Sequence, residues 1–299
     1  MNKFKKLAIP YAIWMILLVV IPLILMFVMS FLDMRYIDIQ HARFTFANFS
    51  KVFNKTYFNA FIKSMELSLI ATLGCLIIAY PIAYIISKIK FVGKSLLLVI
   101  FILPMWTNML LRIETINRML ADNGLMQSLT HINLSYIGIH SGTELAVIIV
   151  MIIVYLPFMI FPIYTVLEKI DNSLIEASAD LGATPRKSFT KVTLPLSMKG
   201  VTSGVTMVFL PCAMGFTIPQ IVSNGKIMLI GNIIEQKFKG STGQYNIGML
   251  ASIIIIIIIL LAIWLISKLD PVGETLIWQI HYTLIERKSI PYQLYLRFY

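Results

Sequence analysis

Charge and cysteine are both scarce in this chain. Asp, Glu, Lys and Arg make up 13% of its 299 residues, against roughly 25% in a soluble domain. An ordinary soluble enzyme is excluded on that ground. Two cysteines exclude a disulfide-stapled secreted domain. The four histidines, His41, His131, His140 and His281, show no metal-ligand spacing. Gly93-Lys94-Ser95 has the ending of a phosphate-binding loop, but Lys88 stands where that motif needs its first glycine. No nucleophile and base fall into a catalytic pattern. The sequence therefore predicts neither a catalytic residue nor a cofactor bound by this chain, and active transport would draw on an ion gradient or a partner.

What is abundant is apolar surface. Hydrophobic residues reach 58% and the mean hydropathy is +0.84, which excludes a disordered chain. Six apolar windows free of Asp, Glu, Lys and Arg stand out: 7–32, 67–87, 95–111, 145–167, 200–225 and 240–267. A membrane-spanning helix needs roughly 20 apolar residues. The third window is short and can extend past Arg112 if that side chain snorkels. None alternates like a barrel strand, so the expected class is an all-α integral membrane protein with six spans. The first window is too long for a signal-peptide core and no small-residue cleavage site follows it, so it is expected to be retained.

Lys3, Lys5 and Lys6 precede the first window, and Lys88, Lys90 and Lys94 fill the turn between the second and third. Under the positive-inside rule both flanks are cytoplasmic, and so are both termini. The net charge of +11 then reads as a topology signal, not a nucleic-acid footprint. Cys75 and Cys212 fall inside windows and read as small buried hydrophobes.

The polar loop 168–199 carries the strongest local signals. Ser173 and Glu176 form a capping-box pattern, which predicts a helix over 174–181 stopped by Gly182. Thr184-Pro185 reads as the N-cap and first position of a second helix, ending near Leu194-Pro195. The loop is either a well-capped connector or a docking element for a soluble partner.

Glu176-Ala177-Ser178, three residues, Gly182, nine residues, Val192, one residue and Leu194-Pro195 together resemble the EAA loop of bacterial ABC importer permeases. Ser178 replaces that pattern's second alanine, and Val192 its isoleucine. The resemblance covers roughly residues 7 to 268. The stretches Leu103-Pro104-Met105-Trp106-Thr107-Asn108 with Arg112, Leu156-Pro157-Phe158-Met159, Leu167-Glu168-Lys169-Ile170-Asp171 and Leu229-Ile230-Gly231-Asn232 are similar to the spermidine/putrescine branch. The resemblance implies the type I ABC importer permease fold, in the bacterial cytoplasmic membrane. It also implies a second, homologous permease subunit, two copies of an ATPase that uses ATP and Mg, and an extracytoplasmic polyamine-binding protein. The loop would be the coupling helix that enters a groove on the ATPase.

A polyamine path calls for carboxylates at its mouth and aromatic faces along it. Glu66, Trp106, Asn108, Glu114, Tyr155, Phe158, Phe216 and Gln220 are the candidate lining residues, and Arg112 is expected to pair with Glu114 or face a backbone carbonyl. Aromatic residues in spans more often meet lipid or pack. Gln220 stands where the family often has an acid. Among the prolines in spans, Pro211 and Pro219 are the hinge candidates, and Gly200 and Gly204 form a small-residue packing pair suited to a second subunit. Residues 1–268 are read as the permease domain and 269–299 as a cytoplasmic tail, apolar enough to lie on the membrane lipid. An ABC permease for another solute is the nearest alternative. A gradient-driven transporter would place midplane carboxylates in its spans, which these windows lack. A membrane scaffold would leave the EAA spacing without a reason.

Overall fold

The computed structural model describes residues 2–33, 42–89, 94–121, 124, 128, 138–239 and 244–269. The predicted tail, 269–299, lies outside them except for Leu269. Helix α1 starts as Asn2–Met15, widens into a π-turn at Ile16–Val20 and continues as Ile21–Ser30. Strands β1 (Leu32–Asp33) and β2 (Arg43–Phe44) pair antiparallel, Leu32 opposite Phe44. The helices α2 (Ala47–Val52), α3 (Lys55–Lys88), α4 (Lys94–Ile102), α5 (Met109–Leu120) and α6 (Glu144–Glu168) follow. Next come α7 (Asn172–Asp180) and α8, which begins as Pro185–Ser188, passes a π-turn at Phe189–Thr193 and runs on as Leu194–Met214. The chain closes with α9 (Thr217–Val222), α10 (Ile230–Lys239) and α11 (Tyr245–Leu269).

Among the described residues, four helices are long and apolar enough to cross a membrane: Ile9–Ser30, α3, α6 and Pro185–Met214. The pair Leu96–Trp106 and Met109–Leu120, bent by 97°, is long and apolar enough only when its two helices are taken together. The third window therefore does not extend past Arg112 as one helix. Pro104 cannot donate to the ladder, and Thr107-Asn108 break it. The fifth window is likewise divided, because α8 ends at Met214 and α9 begins at Thr217.

Both π-turns sit just before a proline, Pro22 and Pro195. A proline inside a helix has no N–H and crowds the carbonyl four residues back. A wider turn relieves that crowding and lets the helix continue. This is why Leu194-Pro195, the expected end of a short helix, lies inside α8.

The chain divides into two compact units. One comprises Met1–Cys75, Leu103–Leu156 and Met207–Ile258. Its core packs Leu67, Ala71 and Cys75 of α3 with Val150, Met151 and Val154 of α6 and Val208 and Cys212 of α8, each nearly or wholly inaccessible. A buried polar knot fastens its ends. Asn48 donates to the carbonyls of Ser30 and Leu32 at 3.0 and 3.1 Å, and Asn246 donates to Leu32 O at 3.0 Å and to Asn48 Oδ1 at 3.2 Å. Buried amides of this kind need partners, and here each satisfies the other. Helix α1 itself buries none of its best apolar stretch within the chain.

The other unit comprises Leu76–Ile102, Pro157–Thr206 and Ile259–Tyr299. Here α8 packs on α6 through Gly200 and Gly204. A Cβ at Gly200 would stand 2.9 Å from Pro162 O, and one at Gly204 2.7 Å from the Met159 sulfur. The small-residue pair serves this chain's own packing, where the sequence suggested a second subunit.

Candidate functional site

The coupling-loop candidates all lie in the second unit. Asp171 is extended (φ −64°, ψ 127°), and its carboxylate accepts from Ser173 N–H at 2.9 Å. That bond holds the carboxyl below its ordinary range. Asp171, not Ser173, is thus the N-cap of α7, two residues before the predicted one, and Leu174 stands where a capping box would need Glu or Gln. A charged acceptor at the helix start outcompetes a hydroxyl within the first turn. The C-terminus is as expected. Gly182 has φ +77°, its N–H reaches Ala179 O at 2.8 Å, and Ala183 N–H reaches Ser178 O at 3.0 Å. These two bonds make a Schellman cap.

Ser178, at the family's alanine position, uses its extra atom. Its Oγ donates to Ile175 O at 2.7 Å or shares a hydrogen bond with the hydroxyl of buried Ser188 at the start of α8. The hydroxyl pair ties the two arms of the loop together. Thr184 opens α8 with Pro185 beside it, as expected. Glu176, Ala177 and Gly182 are exposed, Leu181 is 84% exposed, and Val192, Leu194 and Pro195 are half-buried in the continuing helix. An apolar side chain this exposed, beside a rigid capped turn, has the form of a docking knob.

The path candidates scatter more widely. Glu66 lies 3.2 Å from Lys63, which also meets Glu144 at 2.8 Å. Glu114 pairs with Arg118 at 2.8 Å. Arg112 takes the second of its expected partners, donating from Nη1 to Pro104 O at 2.6 Å across the 97° bend. Asn108 caps α5 by accepting from the N–H groups of Leu110 and Leu111, and Trp106 is 84% exposed. Phe158, in the other unit, is half-buried.

Tyr155 lines a cleft at the helix breaks, and Phe216 and Gln220 flank that cleft along the chain without lining it. Tyr155 is buried, with its hydroxyl beside Gly215, and lines a cleft of about 30 Å³ with Met109, Met151, Pro211, Gly215 and Pro219. Phe216 follows Gly215, its ring 5.7 Å from Lys239 Nζ. Gln220 is exposed on α9 and its backbone carbonyl accepts from Gly225 N–H. Met109 opens the helix that Asn108 caps, so the breaks at 107–108 and 215–216 meet around Tyr155.

The residues that hold this junction were visible only as a resemblance. Asn232 donates to Phe216 O at 2.9 Å and accepts from Leu229 N–H at 3.2 Å. Ile230 N–H donates to Ser64 Oγ at 2.9 Å. Gly231 passes so close to Met214 O that a Cβ would stand 2.3 Å from it. A buried Asn in an apolar run was the available signal. Among the described residues, no group of three His, Cys, Asp or Glu is placed to hold a metal.

Residues 1–271 match the family described as "Binding-protein-dependent transport system inner membrane component". The chain belongs to this family. The permease is 37% identical over 244 residues to the spermidine/putrescine transport system permease protein PotB of Haemophilus influenzae, covering 79% of this chain and 84% of that one. It is 32% identical over 265 residues to PotB of Escherichia coli K12, covering 86% and 94%. In structure the permease resembles a chain of a bacterial ABC transporter involved in the import of the acidic polysaccharide alginate. The TM-score is 0.72 at 17% identity, over 89% of this chain and 94% of that one. A second structure, of a bacterial alginate transporter in complex with an alginate-bound periplasmic protein, gives 0.71 at 17% identity, over 90% and 93%. These likenesses establish the importer-permease fold. The permease is thus a multi-pass membrane component of a binding-protein-dependent transporter.

Proposed function

We propose that this chain is one of two homologous permease subunits of an ATP-driven polyamine importer in the bacterial cytoplasmic membrane. The observation that carries the cargo is the 37% identity with a spermidine/putrescine permease over most of both chains. The fold carries no cargo information, since the structural neighbours import an acidic polysaccharide. In this reading six spans cross the membrane: Ile9–Ser30, α3, the bent pair, α6, α8 and α11, with both termini cytoplasmic. Residues 1–268 form the permease domain and 269–299 the tail.

Glu176, Ala177, Ser178, Gly182, Val192, Leu194 and Pro195 form the coupling element against an ATPase present in two copies, which uses ATP and Mg. The support is the capped, exposed geometry of α7 together with the EAA spacing. When the ATPases close, a helix fastened at both ends moves as a rigid body. Tyr155, Phe216 and Gln220 line the path near the helix breaks. Trp106 and Phe158 add aromatic faces, Asn108 holds the break open to substrate, and Glu66 and Glu114 stand at the mouth. Because both carboxylates already sit in ion pairs, much of the selectivity falls to the extracytoplasmic binding protein that delivers the polyamine.

The test is labelled spermidine uptake in cells lacking this gene and any second polyamine importer, with and without complementation, using putrescine as competitor. Loss and rescue are expected. Unchanged uptake would remove polyamines from the assignment and leave the permease family in place.

A further inference from the structure

Lys94 remains unexplained by the phosphate-loop resemblance and by topology alone. It is the first residue of α4, where the positive end of the helix dipole disfavours a cation. Glu168 is the last residue of α6, where the negative end disfavours a carboxylate. Local helix energetics would choose the opposite sign at each position. Yet the two meet, Lys94 Nζ lying 3.0 Å from Glu168 Oε1. Lys94 also donates to Ser87 O at 3.2 Å and lies 5.5 Å from the Tyr164 ring centre. It thereby joins the last turns of α3 and α6 to the start of α4.

Glu168 stands three residues before the cap of α7, so this contact sits where the coupling loop leaves α6. Two further contacts bind the same end of α3 to the loop. Lys88 Nζ donates to Asn172 Oδ1 at 3.2 Å, on the first residue of α7. At the other arm, Phe189 packs edge-on against Tyr84, with ring centres 5.3 Å apart.

We propose that Lys94 and Glu168 are positioning residues for energy coupling, a latch that makes the α3–α4 turn move with the coupling loop. The proposal rests on the importer reading. A push on α7 from a closing ATPase then travels into α3 and α4 as well as into α6 and α8. Without the latch, the loop can yield locally and the stroke is partly lost.

The experiment uses the assembled transporter in proteoliposomes and reads spermidine uptake and ATP hydrolysis together, with amide exchange over 171–181 as a second readout. Lys94→Glu is expected to lower uptake per ATP hydrolysed by about threefold to tenfold and to speed exchange in α7. The exchanged pair, Lys94→Glu with Glu168→Lys, is expected to restore both, because the contact is remade and each charge now suits its helix end. Loss of assembly in Lys94→Glu is met by Lys94→Met, read the same way. An unchanged ratio in the single variants, or an exchanged pair no better than either single, overturns the latch. If the wild type takes up no spermidine, the cargo reading fails instead, and the latch is still decided by amide exchange in the same four proteins.

Discussion

Asn232 donates its side-chain amide to the carbonyl of Phe216 over 2.9 Å, as a second donor to an oxygen that already accepts from Gln220 N–H at 3.1 Å. A carbonyl has two lone pairs, and the second is used here to tie the start of α10 to the junction where α8 gives way to α9. Gly231 lets the backbone come close enough.

Gly231→Ala is therefore expected to destabilise the protein more than an ordinary surface change does. Its methyl would meet Met214 O at 2.3 Å, and backbone has to move. A loss of about 1–3 kcal/mol is expected, read as a lower unfolding midpoint in detergent. Asn232→Leu, which keeps the branched shape and removes the donor, should lose a comparable amount. A midpoint unchanged in both would show that the junction does not depend on this contact.

Gly182 separates two effects. Its φ of +77° makes alanine cost about 1 kcal/mol and asparagine less. Among the described residues, its two chain neighbours apart, no atom lies within 4 Å of a Cβ placed there. A loss of uptake in Gly182→Trp well beyond that of Gly182→Ala therefore points to a partner surface. Expected uptake falls in the order wild type, Asn, Ala, Trp, with membrane insertion equal in all four. Normal uptake in the Trp variant would argue against docking at this turn.

The Ser178–Ser188 hydroxyl pair predicts non-additivity. Ser178→Ala leaves the buried Ser188 hydroxyl without its partner, which costs about 1–3 kcal/mol. The double change to alanine removes both polar groups and should cost less than the two singles summed. Exchange protection of the α7 amides is the measure, and strict additivity would show that the pair does not act as a unit.

The cap at Asp171 sets an acid limit on α7. Its carboxyl titrates below the ordinary range because it accepts from Ser173 N–H. A depressed folded value means the cap contributes fully above the unfolded value, about 3.9, and is lost as pH falls through the folded one. Protection of α7, corrected for intrinsic exchange, should be flat from about pH 8 to pH 5 and fall only in more acid solution. Asp171→Ala should show the lowered protection at every pH.

The sequence carried the long apolar helices because hydropathy alone drives them out of water. It carried the end of α7 because a glycine after an apolar turn has few other uses. It did not reveal the break at Thr107-Asn108, since Arg112 finds its partner, Pro104 O, only once the bend has formed. It placed the start of α7 at Ser173 because two good caps stood two residues apart. The Leu194-Pro195 pair looked like a stop, and only the π-turn before it explains why α8 continues. At the site, Glu66 read as a carboxylate at the mouth and Glu114 as one of two expected partners of Arg112, but their cations are neighbours one turn away, Lys63 and Arg118. Helical spacing of opposite charges was the available sign.

The burial of Cys75 and Cys212 has a practical use. Water-soluble thiol reagents need an accessible thiolate, and neither native sulfur offers one in the folded chain. A cysteine introduced in place of Leu181, on the exposed end of α7, would then be the single addressable handle on an otherwise unaltered protein. A fluorophore or spin label attached there would report the approach of a soluble subunit directly, turn by turn of the transport cycle, without first stripping the chain of its own sulfur.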